Sequence, residues 1–266
     1  MYLYTSIALY YFRVWLRFTL SAFQIAFVSR VGAFLFTFAK LMRFGFFMLI
    51  VVLIVTQTQS LAGYSLNQSL VFFLTYNVID TLTQLLFRDV YRFREHIISG
   101  YFDYILIKPI NPLFKILFGG ADPLDLIVLV PYIGLLILFI TQLSVTVVTF
   151  VSFMLLLINA FLISAAFHIV VLALGILTTE IDHAIMIYRD ITSMARFPVD
   201  IYSEPLRGFI TFIIPVGVMM TFPPKALFGL LAPQFMLVSG VIGIGFFVVS
   251  LKLWRYALTQ YTSVSS

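Results

Sequence analysis

The chain has 266 residues, of which 62% are hydrophobic and 10% charged, with a formal net charge of +5 and no cysteine. This balance excludes a soluble globular domain, disulfides and thiolate metal sites, and the three histidines (His96, His168 and His183) stand at no metal-ligand spacing. The excess cations lie beside apolar runs and not in a polar patch, so the positive-inside bias of membrane proteins accounts for them better than nucleic-acid binding does.

Apolar runs able to cross about 30 Å of hydrocarbon as helix recur along the chain, without the ten-residue alternation of a membrane barrel. The expected fold is all-α and polytopic, with residues 1–266 forming one transmembrane domain. Residues 1–31 carry Arg13, Arg17 and Arg30 among Tyr, Trp and Phe, the composition of a helix lying among lipid headgroups on the inner face. They lack the order of basic region, apolar core and small-residue cleavage site, so no removable signal peptide is expected. Residues 32–57 make the first span, and Lys40 and Arg43 in its first half are expected to carry their charges back to the interface on long stems.

After an uncharged loop at 58–64, residues 65–87 make the second span. Within it Asn77, Asp80, Thr81 and Gln84 fall at i, i+3, i+4 and i+7, one side of a helix, and Arg88 continues the stripe. A carboxylate near mid-span costs about 2.5 to 3.5 kcal/mol on insertion scales, so this face turns toward protein or water. Two readings stand side by side, a wall facing a substrate and polar glue between helices.

Residues 88–112 form the most unusual stretch, with Arg88, Arg92, Arg94 and Lys108 close together in a chain poor in charge. The pattern predicts a helix leaving the membrane, a break at Gly100, a short amphipathic run over 101–107 and a rigid turn from Pro109 to Pro112. G-G-A-D-P at 119–123 closes this region ahead of a third span at 124–140. Residues 145–177 exceed one span, which implies tilt, protrusion or a break near Gly175, and His168 within them reads as hydrogen-bonded packing or as a proton relay.

Residues 183–197 are two-sided, with Ala184, Ile187, Tyr188, Ile191, Met194 and Ala195 on one face and Arg189, Ser193 and Arg196 on the other. This helix either lies on the surface or crosses with its polar face against a partner. Residues 198–230 are apolar yet interrupted by Pro198, Pro205, Pro215, Pro223 and Pro224, a pattern of short re-entrant pieces sheltered by protein. Residues 231–253 make the last span, where Gly240, Gly243 and Gly245 allow a neighbouring backbone close. With six spans both termini are cytoplasmic and most cations fall inside.

Three places together resemble the type-2 class of bacterial ABC exporter permeases. They are R-E-H-I-I-S-G-Y-F-D-Y-I-L-I-K-P-I-N-P at 94–112; A-R-F-P-V-D-I-Y at 195–202 with I-I-P-V and T-F-P-P-K-A-L-F-G after it; and the terminal R-Y-A-L-T-Q-Y-T-S-V-S-S. Lys40 departs from the family's pattern. The resemblance implies a half-permease in the bacterial inner membrane that pairs with a second copy or a paralogous permease, each docked on a separate cytoplasmic ABC ATPase subunit. It implies that residues 88–123 are the coupling region, gripped through Arg94, Gly100, Asp103, Tyr104, Lys108, Pro109 and Pro112.

By the same likeness, residues 183–197 belong to the fifth span, and Asn77, Asp80, Thr81, Gln84 and Arg189 line the substrate path. Pro198, Tyr202, Pro205, Pro215 and Pro223 shape an outer re-entrant hairpin. No cofactor is expected on this chain, since ATP and magnesium would sit on the partner ATPase. The absence of G-x-x-x-x-G-K-[ST] agrees with that. Asp80 suits a hydrophobic cation, and the aromatic flanks suit lipids, glycans or peptides. A stand-alone channel or ion-driven carrier using Asp80 and His168 is the competing class. A lipid-modifying enzyme ranks last, since paired carboxylates and nucleophile–base sets are missing at usable spacing.

Overall fold

The computed structural model describes residues 2–178 and 181–262. Among these the fold is helical throughout. Helix α1 (Tyr2–Ala26) leads through a tight turn into α2 (Arg30–Thr58), whose first turn is capped by Ser29 accepting from the Gly32 amide. Helix α3 (Leu66–Leu86) starts with a capping box, Ser65 accepting from the Gln68 amide while the Gln68 side chain accepts from the Ser65 amide. The chain then tightens into a 3-10 turn at Arg88–Arg92 and three short helices, α4 (Phe93–Ile98), α5 (Tyr101–Leu106) and α6 (Pro112–Leu117). Gly100 between α4 and α5 has φ 70°, a left-handed conformation that side chains resist, which explains a glycine at this break.

Helix α7 (Pro123–Ile140) opens with Asp122 as cap and Pro123 in its first turn. Helix α8 (Val147–Thr178) continues unbroken past Gly175, where a β-carbon would run into the Ile181 side chain. Helix α9 (Ile181–Met194) follows, about 21 Å long at 1.5 Å per residue. The proline-rich segment folds as a 3-10 turn (Val199–Ile201), α10 (Leu206–Gly208) running into a π-helical turn (Phe209–Ile213), α11 (Val216–Met220) and α12 (Phe222–Leu227). Helix α13 (Pro233–Gln260) closes the described chain.

Among the described residues five helices, α2, α3, α7, α8 and α13, are long and apolar enough to cross a membrane. Helix α9, with 14 residues, is shorter than these five, and each of its ends has a separate anchor. Its start is tied to α4 by the Arg94–Asp182 ion pair at 2.8 Å, and its last turn accepts a hydrogen bond at the Met194 carbonyl from Tyr202, 2.8 Å away in the proline-rich segment. Helices α3 and α8 form the buried centre, while α2 and α13 leave apolar faces outside.

Three apolar cores follow one another along the bundle. The first locks α4, α5 and α6 onto the ends of α8 and α13 through Phe93, Phe102, Ile105, Ile116, Leu172 and Trp254. The second joins α2, α3 and α7, and the third holds α11 and α12 against α3 and α8. At the latter end Asp200 accepts from Tyr64 at 2.9 Å and from Lys225 at 2.8 Å, pinning the proline-rich segment to the α2–α3 turn.

Of the three glycines expected to bring a backbone close, only Gly243 has a close neighbour, and that neighbour is a side chain. Its missing β-carbon makes room for Asn159 of α8, which donates to the Ser239 carbonyl at 2.9 Å and the Ser239 hydroxyl at 2.8 Å, whereas Gly240 and Gly245 face open space. Gly243→Leu is therefore expected to wedge α13 from α8. The cost is roughly 1–3 kcal/mol for overpacking, plus about 0.6 kcal/mol for each interhelical hydrogen bond lost. Thermal unfolding in lipid nanodiscs should show it as a lower midpoint, while Gly245→Leu leaves the midpoint in place.

Candidate functional site

At the α4–α6 end the chain builds a compact corner. Asp89, largely buried, accepts from Lys115 at 3.2 Å and lies 3.4 Å from the His96 ring nitrogen. Burial alone would push its carboxyl up, but the His96 hydrogen bond and the Lys115 charge outweigh burial and hold it below the usual carboxylate range. The depressed value means the carboxylate's contribution to stability is present above the ordinary Asp range and fades only as pH falls through the folded value.

Helix α5 sits on this corner with Phe102 and Ile105 turned inward. Phe102 meets Tyr261 edge-on at 4.9 Å and Trp254 at 6.4 Å. Asp103 accepts from the Tyr261 hydroxyl at 2.9 Å, so it holds the end of α13 within its own chain. Burial and that carboxylate push the Tyr261 phenol up to about 12. The outward stripe is Ile98, Tyr101, Tyr104 and Ile107, with Ile107 78% exposed. Lys108 lies over the Tyr104 ring at 4.1 Å and Tyr101 at 5.9 Å, and Pro109 beside it is exposed. Pro112 begins α6 next to its Asn111 cap.

The second feature is a groove between α2, α3, α7 and α9. Asp80 accepts from Gln84 at 2.8 Å and faces Arg189 of α9 at 3.9 Å, so the polar faces of α3 and α9 meet. Thr81 also lines the groove, and Asn77 donates back to the Phe73 carbonyl at 2.7 Å. Lys40, expected as an anchor at the interface, has a protein partner. It pairs with Asp125, whose side chain is 1% exposed in the first turn of α7. Arg43 stands one turn further along α2 on the same groove, and Arg196 covers the Phe47 ring at 4.0 Å and the Tyr76 ring at 5.7 Å.

His168 hydrogen-bonds through Nδ1 to the Ser164 carbonyl at 2.8 Å and is enclosed by Phe87, Tyr91 and Tyr188, with its Nε2 buried and without a hydrogen-bond partner among the described residues. Pro198, Pro215 and Pro223 are buried in the third core region, Tyr202 is half-buried, and Pro205 is exposed. The terminal motif at 255–266 runs into residues 263–266, which lie outside the described residues. Among the described residues no cluster of three or more His, Cys, Asp or Glu side chains could hold a metal ion. The residues that sequence reasoning missed are Asp125, Asp182 and Tyr261, all partners across long separations, and the groove lining by Arg43 and Arg196.

A family model described as ABC-2 family transporter protein matches residues 40–265. Comparisons with curated proteins and with solved structures found no match.

Proposed function

The chain belongs to the ABC-2 transporter family, and from that premise we propose that it is the half-permease of an ATP-driven exporter, paired with a second permease and docked through α5 on a separate ATPase. The observation that carries this reading is the outward apolar stripe Ile98, Tyr101, Tyr104 and Ile107 at the end of the bundle opposite the proline-rich segment. Exposed aromatic and aliphatic groups on short helical pieces backed by a buried core, here the end of α4 and α5 with its cap Ile107, are what a partner's hydrophobic pocket takes up.

In this reading α9 is the crossing that makes six, both termini lie on the ATPase side of a bacterial inner membrane, and residues 198–230 form the outer hairpin. Movement of α4 and α5 together reaches the bundle by two links already described, Arg94–Asp182 from α4 to α9 and Asp103–Tyr261 from α5 to the end of α13. Rocking α9 against α3 would open the groove at Asp80 and Arg189. A photo-crosslinker placed at Tyr104 or Ile107 in native membranes is expected to capture a nucleotide-hydrolysing protein. Capture of lipid alone from both positions overturns the docking assignment.

A further inference from the structure

The groove carries four cations, Lys40, Arg43, Arg189 and Arg196, against Asp80, with Asp125 neutralising Lys40. Counting both carboxylates, two positive charges remain uncompensated. Among the described residues Arg43 and Arg196 have no carboxylate within 4 Å, and Arg196 rests on aromatic faces instead. The positive-inside bias explains cations near the α4–α6 end, but Arg196 stands at the opposite end of α9, beside Ala195 and Val199 of the third core. From Lys40 to Phe47, the ring under Arg196, α2 rises about 10 Å, so the positive charge is spread along the groove. Unpaired arginines inside a membrane bundle are costly and mark a pathway or a ligand.

We propose that the groove selects an amphiphile with an acidic headgroup, a phosphate, carboxylate or sulfate, which passes between the arginines while its apolar body stays outside. This rests on the permease reading and reverses the sign that Asp80 alone implied. Phe44, Phe73 and Tyr132 stack on one another as the buried floor, half-buried Phe47 stands at the side, and the open space of ≈ 70 Å³ suits a small headgroup or a few waters, with the apolar body left outside it. Arginine's planar fork fits an oxyanion in two places at once, and cation–π contact keeps Arg196 poised without cancelling its charge. Asp80 pairs with Arg189 at 3.9 Å and its own charge opposes the ligand, so removing that charge frees Arg189 for the oxyanion.

The test uses the assembled permease–ATPase complex in proteoliposomes, reading ATP hydrolysis stimulated by octyl phosphate, octyltrimethylammonium, octanol or inorganic phosphate. Octyl phosphate is expected to stimulate most and inorganic phosphate not at all. Arg43→Gln and Arg196→Gln should each weaken its half-maximal concentration roughly tenfold, the scale of one lost charge-assisted hydrogen bond. Asp80→Asn should strengthen it. Co-purification of the ATPase with each variant reports assembly, so a folding failure is not read as a binding failure. Preference for octyltrimethylammonium, equal response to octanol, or an Asp80→Asn variant that loses the response overturns the proposal while leaving an ATP-driven permease. Absence of any ATPase partner overturns the permease reading itself.

Discussion

Ile107→Asp combined with Tyr104→Asp is expected to strip the ATPase from the purified permease. Both side chains point outward, 78% and 52% exposed, from a helix whose other face is fully buried. An aromatic or aliphatic anchor at the centre of an interface is worth about 2 kcal/mol or more, roughly 30-fold in affinity for each, and a carboxylate in its place also strands a charge. The chain itself should still insert and elute as a single species, because neither residue supports the core. Asp103→Lys offers the contrast. Its carboxylate accepts from Tyr261, so the substitution should keep the ATPase bound while lowering transport per ATP several-fold, by loosening the α5–α13 link. Size-exclusion recovery of the ATPase, followed by coupled transport and hydrolysis assays, separates the two. Equal ATPase loss from both variants would count against the division of roles.

Lys40→Met is expected to be the most damaging single change to stability. Asp125 is 1% exposed, its second oxygen has no hydrogen-bond partner, and Lys40 is its counter-charge. Removing one member of such a pair costs about 3–5 kcal/mol, a large part of the 5–15 kcal/mol that holds a typical domain together. Replacing both, Lys40→Met with Asp125→Leu, should recover most of the loss, since apolar groups of similar volume often substitute for a buried ion pair. Thermal unfolding in nanodiscs decides it. A Lys40→Met midpoint equal to wild type would return Lys40 to the role of an interfacial anchor.

That contrast shows where sequence reading works and where it stops. The polar face of α3 is legible because Asn77, Asp80, Thr81 and Gln84 repeat at helical spacing, a property of one segment. The break at Gly100 and the short pieces among the prolines are legible for the same local reason. Helix α9 was ambiguous because its apolar face and its charges fit both a surface and a packed position, and only the Arg94–Asp182 and Tyr202–Met194 contacts show that each of its ends is anchored. The Lys40–Asp125 pair joins residues 85 apart, for which no local signal exists. The sign of the groove needed α2, α3 and α9 assembled together, and a lone Asp80 pointed the other way. The α5 helix has six residues, too few turns to tell from pattern alone that Asp103 looks inward while Tyr104 looks out.

The clasp between Tyr261 and Asp103 also has a bearing on how the protein is handled. A fluorescent or affinity module fused after Ser266, five residues past Tyr261, would tug on the very tyrosine that steadies the elbow. Reporters attached there would therefore perturb the force path they were meant to observe. An epitope in the loop between α7 and α8, far along the bundle from this clasp, is the gentler place to hold this molecule.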